Sequence, residues 1–194
     1  MNKLKMIIPL VLLASCNSYY FPLLVEAPQR IISSFKPYSP GESYIKNQES
    51  SFVTVELGQQ NATLVLSSIE NNIFTWVGQG NVTFKTYKGL VIKTSGLANN
   101  FTLIDPKHSV DHFLANDPRT LIFNLDKPRL YEVQAHTSKL STSQSGLNID
   151  LIAKSINWKI KVDITYDDKG MPIATNQTLH PFVGDVTMSY YFKY

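Results

Sequence analysis

The chain has 194 residues, with 18 basic side chains against 15 acidic ones and a net charge of +3. Its single cysteine excludes an internal disulfide framework. The charges are dispersed, without the concentrated positive patch that a nucleic-acid partner requires.

The first fifteen residues have the order of a secretory signal. Lys3 and Lys5 supply positive charge, Met6 to Leu13 (MIIPLVLL) are apolar, and Ala14 and Ser15 are small. The apolar run is far shorter than the ~20 residues of a membrane-spanning helix. The stretch "LLASC", residues 12 to 16, resembles the bacterial lipobox. That resemblance implies cleavage before Cys16, with lipid on its sulfur and its amine. Each buried methylene adds ~0.8 kcal/mol, and several acyl chains on one residue hold a protein on a membrane where one chain binds only marginally. Asn17 follows the cysteine where an aspartate would favour inner-membrane retention. By resemblance to enteric-type lipoproteins, the absence of that aspartate implies the outer membrane, on the periplasmic side. Without Lys3 and Lys5, 16 basic side chains remain against 15 acidic, a net charge of +1.

The expected organisation is a signal peptide over 1–15, a lipidated tether with a short helix over 16–36, and one β-rich domain over 37–194. The tether carries apolar residues at helical spacing, and Pro28 restricts the helix to about residues 28–35. KPYSPGES (36–43) reads as a loop. Beyond it the apolar period becomes two. Val53, Val55 and Leu57 alternate with Thr54 and Glu56, and similar runs follow around 62–66, 74–76, 82–84 and 90–92. GQQN, ENN, GQGN and YKG separate them as turns, which predicts an antiparallel meander. DPKHSVDHFLANDP (105–118) is irregular and holds a short helix at Val110 to Leu114. Strands resume over 119–125 and 129–136, and the polar TSKLSTSQSG (137–146) reads as a loop.

WKIKVDITY (158–166) alternates at all nine positions, with Trp158, Ile160, Val162, Ile164 and Tyr166 on one face. DDKG (167–170) is a hairpin turn in which Gly170 takes positive φ. Val186, Met188, Tyr190 and Phe192 alternate in the last strand. The fold class is mainly β: an antiparallel meander forming a barrel or sandwich, with a short N-terminal helix.

Chemistry-bearing patterns are sparse. His108 and His112 in "HSVDH" would share a helical face, but Ser109 stands where the zinc-hydrolase motif has its glutamate, and spacing fixes no third ligand. No nucleophile elbow or phosphate loop occurs. Asp167 and Asp168 belong to a turn rather than to an acid pair. The expectation is no metal, no cofactor and no catalytic residue. Four Asn-x-Thr triplets, at Asn61, Asn81, Asn100 and Asn176, read as turn asparagines beside strand threonines. The abundant aromatics suggest sugar contact. Trp158 reads as core, and Trp76, which shares a face with Phe74, has a core reading beside the ligand-facing one. Trp76, Tyr190 and Tyr191 are the candidate ligand-facing aromatics, with Tyr190, Tyr191 and Tyr194 expected at the surface.

The order of motifs carries a resemblance. "PYSPGESYIKNQESSFVTVELG", Trp76, Gly89-Leu90, Lys93-Thr94 and Leu97 with Asn99-Asn100, followed by "WKIKVDITYDDKGMPIATNQTL" and "GDVTMSYYFK", resemble the YjbF/GfcB family of group 4 capsule lipoproteins, which includes YmcC-like proteins. The resemblance implies a mainly β, barrel-like fold and a non-enzymatic outer-membrane accessory factor in capsule or exopolysaccharide assembly or export. Its partners would be the outer membrane, through Cys16, and other export proteins. It supplies no catalytic residues. Two alternatives remain: a carbohydrate-binding module that touches the polysaccharide, and a polysaccharide-modifying enzyme centred on His108 and His112.

Overall fold

The structure, a computed structural model, describes residues 40–193. These belong to one compact unit, Pro37–Tyr194. The expected signal segment over 1–15, Cys16, the helix expected at 28–35 and Tyr194 lie outside the described residues.

Twelve strands close into a barrel. They are β1 (Phe52–Leu57), β2 (Gln60–Glu70), β3 (Ile73–Val77), β4 (Thr83–Tyr87), β5 (Leu90–Ser95), β6 (Phe101–Ile104), β7 (Thr120–Asp126), β8 (Arg129–Ser143), β9 (Gly146–Ala153), β10 (Trp158–Tyr166), β11 (Pro172–His180) and β12 (Gly184–Tyr191). Every strand pairs with its neighbours in sequence, and β12 returns to pair with β1, Phe52 opposite Tyr191. All pairs are antiparallel, so the expected meander is a closed barrel rather than a sandwich, and no strand is left as an edge.

The alternation read in the sequence sets the inside and the outside. Along β10, Trp158 to Tyr166 alternate strictly between buried and exposed. Lys159, Lys161, Asp163 and Thr165 face out, the reverse of a lipid-embedded barrel, whose outer band is apolar. The interior is filled with side chains. Trp76 packs 5.7 Å from Tyr190 and 5.9 Å from Phe192, and Phe123 packs 5.3 Å from Trp158 and 6.1 Å from Phe101.

Among the described residues, two α-helices flank the strands. α1 (Glu42–Asn47) lies within the stretch expected to begin as a loop. Its Tyr44 meets Phe52 edge-on at 5.8 Å, and Phe52 stacks on Tyr191 at 4.6 Å, so an aromatic group covers the outer face of β1. α2 (Pro106–Leu114) is longer than the expected helix because Pro106 suits the first helical turn. It sends Val110 and Phe113 into the core. The polar stretch 137–146 is not a loop but strand and tight turn. β8 runs on to Ser143 and pairs with β9, Leu140 opposite Ile149 and Ser143 opposite Gly146.

An even number of antiparallel strands makes the turns alternate between two rims. The chain enters β1 and leaves β12 at the rim bearing α2 and the β4–β5 and β10–β11 turns. The other rim carries the β5–β6, β7–β8, β9–β10 and β11–β12 turns.

Candidate functional site

The aromatics proposed as ligand-facing are placed mostly inside. Trp76 is fully buried, and its indole N–H donates to Thr86 Oγ1 at 2.9 Å. Tyr190 was expected at the surface and is instead buried, because β12 turns Val186, Met188 and Tyr190 to the same inner face. Its hydroxyl donates to the Gly89 carbonyl at 3.0 Å, and burial raises its pKa. Tyr191 points outward but is half-covered by Phe52. These three residues therefore form no shared binding surface.

Tyr190 belongs to a polar belt that crosses the interior. β5 pairs with β6 at Lys93–Thr102 only. The backbone from Gly89 to Val91 is met instead by side chains of the opposite strands. Gln177 accepts from Val91 N–H at 2.9 Å and donates to Val91 C=O at 3.0 Å, as a paired strand would. The Thr175 hydroxyl donates to Gly89 C=O at 2.8 Å, and that of Tyr166 to Lys88 C=O at 2.9 Å. Burial pushes the Tyr166 phenol up to about 12. Gly89 has φ +85°, and a Cβ there would lie 2.7 Å from Ile164 Cγ2. The Gly89-Leu90 pair in the family-like pattern is thus a joint of the fold. So is Asn100, whose side chain bonds both the N–H and C=O of Leu97 and donates to Asp126.

The histidines fall into separate settings. His108 and His112 share a face of α2, with rings 4.3 Å apart. His112 Nδ1 lies 2.8 Å from Asp117 Oδ2 and 3.2 Å from Arg119, and these two partners also pair at 2.7 Å. The hydrogen bond to His112, followed by that from Arg119, holds Asp117 below the usual carboxylate range. Asp111 is taken by Lys88 at 2.8 Å and by Tyr87 OH at 3.1 Å. Among the described residues, no three His, Cys, Asp or Glu side chains gather as a metal site. Asp167 serves the 167–170 turn itself: its Oδ1 accepts from the N–H groups of Lys169 and Met171.

A different pair of residues stands out at the rim opposite the chain entry. The β10–β11 pairing ends at Val162–Gln177, and beyond it the two strands part. The cleft between them has a volume of about 420 Å³ and is lined by Asn157, Trp158 and Lys159 on one side and by Thr178, His180 and Pro181 on the other. A bulge at Leu179 makes the β11–β12 register shift between Thr178 and His180, so Leu179 and His180 are both buried. His180 is 0 % exposed and Trp158 is 4 % exposed. Neither His180 Nε2 nor Trp158 Nε1 finds a hydrogen-bond partner among the described residues. The backbone N–H of Phe182 donates to His180 Nδ1 at 3.2 Å. Nδ1 is therefore the acceptor, and Nε2 carries the proton of the neutral ring. Burial lowers the His180 pKa, opposed by the charge of Asp126.

Sequence reasoning placed Trp158 in the core and gave His180 no role. Alternation cannot reveal an orphaned donor, because that depends on which acceptors the fold brings near. The bulge also puts His180 out of the strand period.

A search of curated proteins finds no match. Among solved structures, the crystal structure of the hypothetical lipoprotein YmcC from Escherichia coli (K12) is similar, with a TM-score of 0.59 and 17 % identity over 78 % of this chain and 88 % of that one. That likeness establishes a shared fold. The family model described as group 4 capsule polysaccharide lipoprotein GfcB, YjbF matches residues 34–190, which span the whole barrel apart from its last strand residue. The chain belongs to the YjbF/GfcB family of group 4 capsule polysaccharide lipoproteins.

Proposed function

We propose that this protein is a lipid-anchored accessory factor, without catalysis of its own, in the assembly or export of a capsule or exopolysaccharide. The observation that carries this reading is the family match across residues 34–190. The lipobox-like sequence ending in Cys16 supports attachment to the outer membrane, with the barrel in the periplasm. The packed interior suits a rigid docking body better than a conduit, since inward positions from Trp76 to Met188 are filled by side chains. The partners in this reading are an outer-membrane exporter or a companion periplasmic protein.

A clean deletion, complemented with wild type or Cys16→Ala, tests the proposal. Surface polysaccharide falls in the deletion and returns with wild type but not with Cys16→Ala. Crosslinking in intact cells recovers an envelope partner only with the anchored form. Unchanged surface polysaccharide in the deletion would overturn the accessory role.

A further inference from the structure

We infer that the cleft between the start of β10 and the end of β11 binds a sugar residue through Trp158 Nε1 and His180 Nε2. Both groups are buried N–H donors without an acceptor among the described residues, and both residues line the same cleft. A buried donor with no acceptor is costly, so two such donors on residues that line one opening mark a place where an entering ligand can supply oxygens. His180 is fixed as a donor at Nε2 by the Phe182 N–H on Nδ1. The cleft volume of about 420 Å³ falls within the range of small-ligand sites.

Other residues supply the rest of a saccharide site. Phe182 is 70 % exposed, and its ring lies 5.7 Å from that of His180, which offers an apolar face beside the donors. Sugars present hydroxyl and ring oxygens along their edges and C–H groups on their faces, so donors beside an aromatic ring match both. Asn157 and Lys159 add polar groups at the lining. The nearby acids are already engaged: Asp185 accepts from Thr178 at 2.6 Å, and Asp126 from Asn100. The geometry requires an oxygen-rich ligand. That the ligand is a residue of the surface polysaccharide rests on the function proposed above.

The test uses the full-length lipidated protein in detergent micelles. It is titrated by calorimetry with oligosaccharides released from the strain's own surface polysaccharide, and with polyethylene glycol as a non-sugar control. Saturable heat is expected with the oligosaccharides alone. His180→Leu, Trp158→Phe and Phe182→Ala should each weaken binding roughly tenfold or more. Thermal melting separates this from misfolding: Phe182 is 70 % exposed, so Phe182→Ala should melt as the wild type does, and its loss of affinity then reads the site itself. No saturable heat, or unchanged affinity in the Phe182→Ala and His180→Leu proteins, overturns the site and leaves water as the acceptor. The site and the cellular role fail separately. Cleft variants that do not bind oligosaccharide yet fully restore surface polysaccharide to the deletion strain would refute a need for the site in export. Binding by a protein whose deletion leaves the polysaccharide intact would refute the accessory role and keep the site.

Discussion

Gln177→Leu probes the side-chain pairing that replaces β6 along β5. Gln177 is buried and makes both hydrogen bonds to Val91, at 2.9 and 3.0 Å. Leucine fits a similar volume but leaves the Val91 N–H and C=O unpaired. Each buried orphan costs about 1–3 kcal/mol, and the extra apolar burial of leucine offsets about 1–2 kcal/mol. The central expectation is a loss of about 2–3 kcal/mol. For a domain of this size, that lowers the melting temperature by roughly 4–12 °C. Urea unfolding with linear extrapolation measures the free-energy change, with Asn176→Ala as the control on the exposed face of the same strand. The control should stay within about 0.5 kcal/mol of wild type. A Gln177→Leu loss no larger than the control's would mean that the paired amide does not hold β5, and the reasoning would fail.

Gly89→Ala should destabilise far more than Gly58→Ala. Both glycines have positive φ, but a Cβ at Gly89 strikes Ile164 at 2.7 Å and Pro172 at 2.9 Å, whereas one at Gly58 meets open space. The expected losses are more than about 2 kcal/mol at Gly89 and about 1 kcal/mol at Gly58, read from denaturation midpoints. Thr86→Val removes the acceptor of the Trp76 indole and should cost about 1–3 kcal/mol by the same assay, with a change in the near-ultraviolet tryptophan signal. Alkaline pH should unfold the protein cooperatively. Tyr166 ionises near pH 12 when folded and near 10 when unfolded. The folded state therefore keeps a proton that the unfolded state has lost, and stability falls as pH rises from about 10 to 12. Tyr166→Phe should flatten that slope, while an unchanged slope would assign the alkaline transition to other groups.

The parts of the fold legible in the sequence are those with one dry face and one wet face. β10 is the clearest case, since every second residue from Trp158 to Tyr166 enters the core. The distal half of β8 is exposed or half-exposed on both faces and carries no such period. Pairing with β9 makes it a strand, and pairing is a long-range fact. Alternation left barrel and sandwich both open, because Phe52 meets Tyr191 only through tertiary register. For the site, aromatic content pointed to sugar contact but to other residues. Trp76 and Tyr190 satisfy their polar atoms internally through Thr86 and Gly89. Trp158 and His180 do not, and that difference is a property of neighbours rather than of residue types.

Ring closure also sets a timetable. β1 is made first and β12 last, yet each completes the other's hydrogen bonding. As the chain emerges from its N-terminus, β1 has a partner only in β2. Its other side, with Phe52 and Val53 ready for burial, stays open until Gly184 to Tyr191 arrive. Native pairing of that edge depends on the slow, distant closure of a long loop. In that interval the newly delivered chain is open to pairing with other extended segments. A chaperone that holds extended chains would have its work here, before the barrel shuts, and a C-terminal truncation would prolong the same exposed state indefinitely.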